Sequence, residues 1–148
     1  MPKRIITLIA LVAAIATLAG CTEWVEWQPD SGAWSVERIG TALEAKAAQG
    51  DAAESAAGKP VADAPKLRKS ALVRLRREGD DGAAIADLVT KSLPPNDRSV
   101  PYFFAKGTFE GREAIVMFEH FGPPGGKLTA RRAWVLSPEG DLLYAAAR

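Results

Sequence analysis

Apolar side chains recur at helical spacing in three stretches of the chain, and each stretch predicts one helix. The first is a short helix over Val36–Ala48 with Ser35 as its N-cap. The second covers Lys66–Glu78, where leucine and alanine share one face and basic residues occupy the others. The third covers Ala83–Leu93 and is capped by Asp80-Asp81.

Alternation of apolar and polar residues predicts four strands in the last third of the chain. Tyr102–Phe109 and Arg112–Phe121 form one hairpin, which turns at Glu110-Gly111. Leu128–Leu136 and Leu142–Ala147 form the other. Two helices followed by four strands predict an α+β fold, in which two helices pack on a four-stranded antiparallel sheet.

The stretch between the first two helices is poor in large apolar residues. Within Gln49–Ala64, Val61 is the only one, and such a composition buries too little surface to offset the entropy of ordering the chain. We therefore expect a flexible linker. Its root-mean-square span of roughly 20–25 Å would let the following domain work at a distance from whatever holds the N-terminus.

The first twenty residues have the order of a secretory signal. Lys3 and Arg4 precede an uncharged apolar run over Ile5–Ala19, and a small residue follows. The run is shorter than the about 20 apolar residues of a membrane-spanning helix and lacks a positive flank on its far side. We therefore expect a signal that is removed rather than a membrane span.

The sequence Leu18-Ala19-Gly20-Cys21 resembles the bacterial lipobox, in which the cysteine thiol receives a diacylglyceryl group before cleavage in front of it. The resemblance implies that Cys21 becomes the lipidated first residue of the mature chain, anchored stably in a membrane. Thr22 follows in place of the aspartate that marks inner-membrane retention, which implies the outer membrane facing the periplasm; the outer face of the cell membrane is the alternative. A free thiol at Cys21, the only cysteine, is the competing interpretation.

These features divide the chain into a signal peptide over residues 1–20, a membrane-proximal arm with the short helix and linker over residues 21–64, and an α+β domain over residues 65–148. The arm has eight acidic and three basic residues, a net charge of −5, and the domain has ten acidic and fourteen basic residues, a net charge of +4. The whole chain, at +1, has no general field that favours nucleic acid.

The arm begins with three of the four tryptophans, Trp24, Trp27 and Trp34. Tryptophan favours the membrane–water interface because its ring is apolar while its N–H needs a polar partner, so an interfacial anchor is one interpretation. The other is an extended arm that packs on the folded domain through a turn at Pro29-Asp30-Ser31-Gly32. The sequence leaves both open.

The second predicted helix is the candidate partner-binding element. Its basic residues are Lys66, Arg68, Lys69, Arg74, Arg76 and Arg77. A basic amphipathic helix can lie against anionic lipid or a polyanion. The alternative is a helix that packs on the sheet and simply presents its charges to water.

The residues that could support catalysis are few. His120 is the only histidine and lipidation consumes the only thiol, so histidine-rich zinc sites and thiol nucleophiles are excluded. Glu113 and Glu119 share a strand face but lie about 20 Å apart at ~3.3 Å per residue. That separation exceeds the about 5–9.5 Å of a glycosidase carboxylate pair. We expect no catalytic residue, no metal and no cofactor, and we assign His120 a structural role.

The layout is similar to that of the small lipoprotein subunit of the outer-membrane β-barrel assembly machine, which has a lipidated cysteine, an arm, two helices and a small antiparallel sheet. The points of similarity are Trp27-Gln28-Pro29-Asp30 in the arm and the final hairpin, Leu128–Tyr144. The resemblance implies an architecture and carries no functional residue.

The leading hypothesis is a lipid-anchored, non-catalytic binding or scaffold module of the envelope. Its partner, an envelope protein or a polyanionic glycan, would meet the basic helix or a free sheet edge at Tyr102–Phe109 or Leu142–Ala147. The alternatives are a cell-wall or lipid-active enzyme and a carrier or sensor of a small apolar ligand. The carrier hypothesis comes from the aromatic residues Tyr102, Phe103, Phe104, Phe109, Phe118, Phe121 and Trp134.

Overall fold

The computed structural model describes residues 25–45, 56–93 and 97–148. The predicted signal, Cys21, Trp24 and the first part of the predicted linker lie outside the described residues. In chain order the elements are β1 (Glu26–Gln28), β2 (Ala33–Trp34), α1 (Val36–Glu44), a short 3-10 helix (Val61–Asp63), α2 (Ala64–Arg76), α3 (Asp80–Ser92), β3 (Ser99–Phe109), β4 (Arg112–Phe121), β5 (Ala130–Leu136) and β6 (Leu142–Ala147). The fold is α+β, as predicted.

One six-stranded sheet contains all of these strands. β3, β4, β5 and β6 pair antiparallel in chain order, as the alternation predicts, whereas β1 and β2 both pair parallel with the outer side of β3. The β3–β4 turn places Glu110 and Gly111 at φ 51° and 76°, the left-handed backbone that a two-residue hairpin turn needs. The expected four-stranded sheet is therefore enlarged, because the arm adds two short strands to it.

Helices cover both faces of the sheet. On one face, Ile39 and Leu43 of α1 are fully buried in a cluster that includes Phe118. On the other, Leu75 of α2 packs in a cluster with α3 and Met117. Among the described residues, three helices rather than the expected two cover the sheet, one on one face and two on the other, because β4 is apolar on both faces and each face needs a cover.

The helix ends follow the predicted capping chemistry only in part. The side chain of Ser35 accepts a hydrogen bond from the backbone N–H of Arg38 at 3.1 Å, which confirms Ser35 as the N-cap of α1. α3 begins earlier than expected, so Asp80-Asp81 form its first turn and Gly79 is the N-cap. The two carboxylates still face the positive end of the helix dipole, where they stabilise it.

The structure corrects the second half of the predicted linker, residues 56–64. Gly58 donates its N–H to the carbonyl of Leu128 at 2.8 Å, and Val61 donates to the carbonyl of Gly126 at 3.0 Å. Val61 is 5% exposed and belongs to a small apolar cluster. Backbone pairing and three buried side chains, those of Ala56, Val61 and Ala64, order this stretch despite its composition. The rest of the predicted linker lies outside the described residues.

The arm packs on the sheet rather than standing apart from it. The Trp34 ring meets Phe118 edge to face at 5.8 Å, and its Nε1 donates to Ser31 Oγ at 2.7 Å. Ser31 in turn donates from its N–H and its hydroxyl to the carbonyl of Lys106, at 2.9 and 2.7 Å. Trp27 is half-buried against the second cluster. For Trp27 and Trp34, the interpretation of a packed arm holds.

Gly107 permits this packing, because a Cβ there would clash with the carbonyl oxygen of Gly32 and lie 2.8 Å from Ser31 Oγ. We predict that Gly107→Ala displaces the arm and lowers the free energy of unfolding by about 1–3 kcal/mol, measured by urea denaturation followed by tryptophan fluorescence. Gly40→Ala is the matched control, because its Cβ would meet only Arg148 at 3.9 Å and alanine favours helix. Equal stability of Gly107→Ala and the wild type would contradict the docking.

Candidate functional site

A buried carboxylate organises the sheet face that α2 covers. Glu119 of β4 is 1% exposed. Its Oε1 accepts hydrogen bonds from Arg132 through Nε at 2.9 Å and through Nη2, and from Trp134 Nε1 at 2.8 Å. Its Oε2 accepts from Arg68 Nη1 at 3.1 Å and from Ser99 Oγ at 2.9 Å. One carboxylate therefore joins α2, β3, β4 and β5.

The sheet register explains how these residues meet. Glu119 and Arg132 are direct partners across β4 and β5, and Ser99 opens β3 beside them. A carboxylate can be buried without water only when it is paired with a positive charge and hydrogen-bonded. Both oxygens of Glu119 meet this condition. Sequence reasoning missed this cluster. Its signal was two opposite charges, Glu119 and Arg132, that interrupt apolar strands predicted to be neighbours.

Arg132 is also held by aromatic rings. Its guanidinium carbon lies 4.7 Å from the ring centroid of Phe121 and 4.7 Å from that of Trp134. Cation–π contacts of this kind orient a guanidinium group as well as attracting it. Arg132 is thus fixed by Glu119 on one side and by two rings, and its orientation is set before any ligand arrives.

Two clefts open beside this cluster. The first, which we call the helix cleft, has a volume of about 410 Å³ and is lined by Pro65, Arg68, Lys69, Leu72, Arg76, Thr90 and Asp97. The second, the strand cleft, has a volume of about 320 Å³ and is lined by Arg98, Phe121, Gly122, Pro123, Ala130 and Arg132. Arg68 lines one and Arg132 the other, so Glu119 positions a basic side chain in each.

The basic residues predicted on α2 take different roles. Arg68 turns inward to Glu119. Arg74 forms an ion pair with Glu78 at 3.0 Å, and Arg76 forms one with Asp87 at 2.9 Å. The other three basic residues predicted to bind a partner are exposed: Lys66, Lys69 and Arg77.

The helix cleft brings together only three of the six basic residues that were predicted to bind a partner. Its lining includes Arg68, Lys69 and Arg76, whereas Lys66, Arg74 and Arg77 lie outside it. The predicted basic surface is therefore a cleft with three bases and not a uniform face. Arg98 and Arg132, which line the strand cleft, were not among the predicted residues.

The predicted free sheet edges also differ from expectation. β1 and β2 pair with β3 along Tyr102–Phe109, so that edge is covered and is not available to a partner strand. β6 is the last strand at the other side of the sheet, and Leu142 at its start is 56% exposed. The Leu142–Ala147 edge remains open among the described residues.

His120 lies inside the fold. It is 4% exposed and its ring packs at a tilt of 31° against that of Tyr102, with ring centroids 4.5 Å apart, on the sheet face that α1 covers. Glu113 is exposed near the hairpin turn, well apart from the buried Glu119. Within the described ranges, no group of three or more His, Cys, Asp or Glu residues could hold a metal ion.

The aromatic residues behind the carrier hypothesis mostly pack on one another. Phe103 stacks on Phe118 at 5.0 Å, and Phe109 stacks on Tyr144 at 5.7 Å. Phe104 is fully buried in the second cluster. These contacts use the apolar ring surface that would otherwise hold a ligand, so they favour a role in the core.

Comparison with known proteins adds no relative: no protein-family model, curated protein or solved structure matches this chain. Among the helices in the described ranges, none is long and apolar enough to cross a membrane. The features that bear on function are therefore the Glu119 cluster, its two clefts and the N-terminal sequence.

Removal of the Glu119 charge tests the cluster. We predict that Glu119→Gln lowers the free energy of unfolding by about 3 kcal/mol, because two guanidinium groups lose their counter-charge in a buried site. Glu113→Gln, an exposed change of the same kind on the same strand, should change stability by less than about 0.5 kcal/mol. Urea denaturation measures both, and equal small effects would show that the cluster adds no stability.

The buried hydroxyl of Tyr102 makes the stability of the fold depend on pH in the alkaline range. Burial raises the pKa of Tyr102 to about 12, partly offset by the nearby positive charge of Arg131. The unfolded chain loses this proton near pH 10 and the folded chain only near 12, so stability is full below about pH 10 and falls by about 3 kcal/mol as the pH rises to about 12. The difference in unfolding free energy between wild type and Tyr102→Phe should shrink or invert across that range. A pH-independent difference would contradict this account, and half-buried Tyr144→Phe is the control.

Proposed function

We propose that this chain is an exported, lipid-anchored module of the bacterial envelope that binds an acidic segment of another envelope protein in the helix cleft. The anchor is supported by the resemblance of Leu18-Ala19-Gly20-Cys21 to the lipobox, with the outer membrane facing the periplasm as the proposed location. The single observation that supports the binding role is that basic and apolar side chains together line the helix cleft. The module acts by binding and not by catalysis.

Two of the three bases of the helix cleft already have partners in the described structure, Arg68 in a buried site and Arg76 at the surface, whereas Lys69 is exposed. Arg68 is bound to Glu119 and Ser99, and Arg76 to Asp87. Fixed charges lose little conformational entropy on binding, which favours affinity. Three bases and one acid line the cleft. Glu119 and Asp87 pair with Arg68 and Arg76, so Lys69 contributes most of the charge complementarity towards an anionic partner.

The same lining favours a peptide over a glycan. Pro65 and Leu72 contribute apolar surface, which suits the side chains of a protein partner. Thr90 and Asp97 contribute oxygen atoms that can accept from backbone N–H groups of a bound segment. A polyanionic glycan would satisfy the bases but would place hydroxyl groups against the apolar side chains at a cost.

A matched pair of charge reversals tests this proposal. Lys69 and Lys66 are both exposed on α2, but only Lys69 lines the helix cleft. We predict that Lys69→Glu weakens partner binding by about tenfold, since a like charge then faces the acidic segment, while Lys66→Glu binds as the wild type does. The measurement is quantitative recovery of a stoichiometric protein partner from native membranes in mild detergent, followed by titration of that partner.

Cys21→Ala controls for anchoring, because it removes the lipid and leaves the cleft intact. Purified Cys21→Ala protein should bind the isolated partner as tightly as the lipidated form does. Recovery of a glycan in place of a protein would reject the proposed partner, and equal losses for Lys69→Glu and Lys66→Glu would reject the proposed site.

A further inference from the structure

One end of the sheet is rich in arginine. It comprises the starts of β3 and β5 and the ends of β4 and β6, where Ser99 pairs with Phe121 and Phe121 pairs with Ala130. The basic residues at this arginine end are Arg98, Arg131, Arg132 and Arg148. The strand cleft opens here, and its lining includes Arg98 and Arg132 but no carboxylate. Arg148 pairs with Glu44 at 3.5 Å and Arg132 pairs with Glu119, so the positive charge at this end comes mainly from the arginines that line the cleft and from Arg131.

The strand cleft has the donors that a phosphate needs. Glu119 carries one negative charge and binds two guanidinium groups, so the cluster keeps one surplus positive charge. Arg132 uses Nε and Nη2 for Glu119, and within the described ranges its Nη1 binds no acceptor. A guanidinium group carries five N–H donors in a planar fork that matches phosphate oxygens. The fixed fork of Arg132, with Arg98 beside it, fits one phosphate group.

The size of the cleft limits the ligand to a small group. Binding sites for small molecules have volumes of roughly 300–1,000 Å³, and the strand cleft, at about 320 Å³, lies at the lower limit. Phe121 and Pro123 form apolar walls next to the arginines. A headgroup with a phosphate and a short apolar portion suits this combination.

The position of the arm identifies the source of such a headgroup. β1 runs parallel to β3 with Glu26 opposite Phe103, so the chain enters the sheet from the arginine end. Only four residues lead from Cys21 to Val25, which is buried in the second cluster, and four residues span at most about 14 Å. If Cys21 carries the lipid, the arginine end lies against the bilayer.

We infer that the strand cleft binds the phosphate of an anionic phospholipid in the bilayer that holds the anchor, with Arg98 and Arg132 as the ligand-binding side chains. The choice of a lipid rests on the proposed anchor at Cys21. The helix cleft and its protein partner are not required for it. The contact orients the domain on the membrane surface.

The test uses the predicted mature chain, residues 21–148, with Cys21→Ala, so that neither the apolar signal nor acyl chains can mask headgroup binding. Co-sedimentation is measured with vesicles of phosphatidylcholine alone and with vesicles that also contain phosphatidylglycerol. We expect binding only to the second kind, weakened by added salt. Arg98→Gln should lower the partition coefficient about fivefold. Arg112→Gln removes the same charge at the opposite end of the sheet, on an exposed residue, and should leave the partition coefficient unchanged.

Two results would overturn the inference. One is equal loss of vesicle binding in Arg98→Gln and Arg112→Gln, which would show general charge attraction without a site. The other is a shift of the Trp134 indole N–H resonance by inorganic phosphate as large as the shift that phosphatidylglycerol vesicles cause, which would show a soluble phosphate ligand. Because no protein partner is present, neither result bears on the Lys69→Glu experiment.

Discussion

The parallel pairing of the arm with β3 sets both the shape of the sheet and the place of the N-terminus. β1 and β2 close the β3 edge, which removes one exposed strand that other chains could join. They also bring Val25 to the sheet, and Val25 is only the fourth residue after the predicted lipid anchor. The segment expected to act as a long tether connects α1 to the 3-10 helix and does not lie between anchor and domain.

Glu119 is the second constraint, and it connects the fold to the proposed sites. Its carboxylate holds α2 against the sheet through Arg68 and holds Arg132 under two rings. Buried ion pairs seldom add much stability relative to apolar packing, because both charges lose water. Their value here is positional. One residue on a central strand fixes a basic side chain in each of two adjoining clefts.

Local signals in the sequence predicted what local chemistry determines. Ser35 identified the start of α1, and Glu110-Gly111 identified the first hairpin, because caps and turns depend on a few neighbouring residues. The parallel strands of the arm could not be found in this way. Ser31 bonds to Lys106, 75 residues away, and a three-residue strand has no periodicity to detect.

In the candidate sites too, local features could be predicted from the sequence, whereas long-range contacts could not. The basic composition of α2 was visible, but its separation into cleft residues and ion-paired residues depends on Asp87 of another helix and on Glu119 of a distant strand. Arg132 was visible as a break in an apolar strand, and its partner could be identified only once the β4–β5 register was known. Contacts that join distant parts of the chain required the structure.

The docked arm requires a short distance between bilayer and domain. Neutron reflectometry of the lipidated mature protein on a supported bilayer measures the solvent layer between the lipid headgroups and the protein. The docked arm predicts that protein density begins at the headgroups, since four residues reach no more than about 14 Å. A solvent layer of roughly 20–25 Å, the span of a flexible linker, would contradict the account.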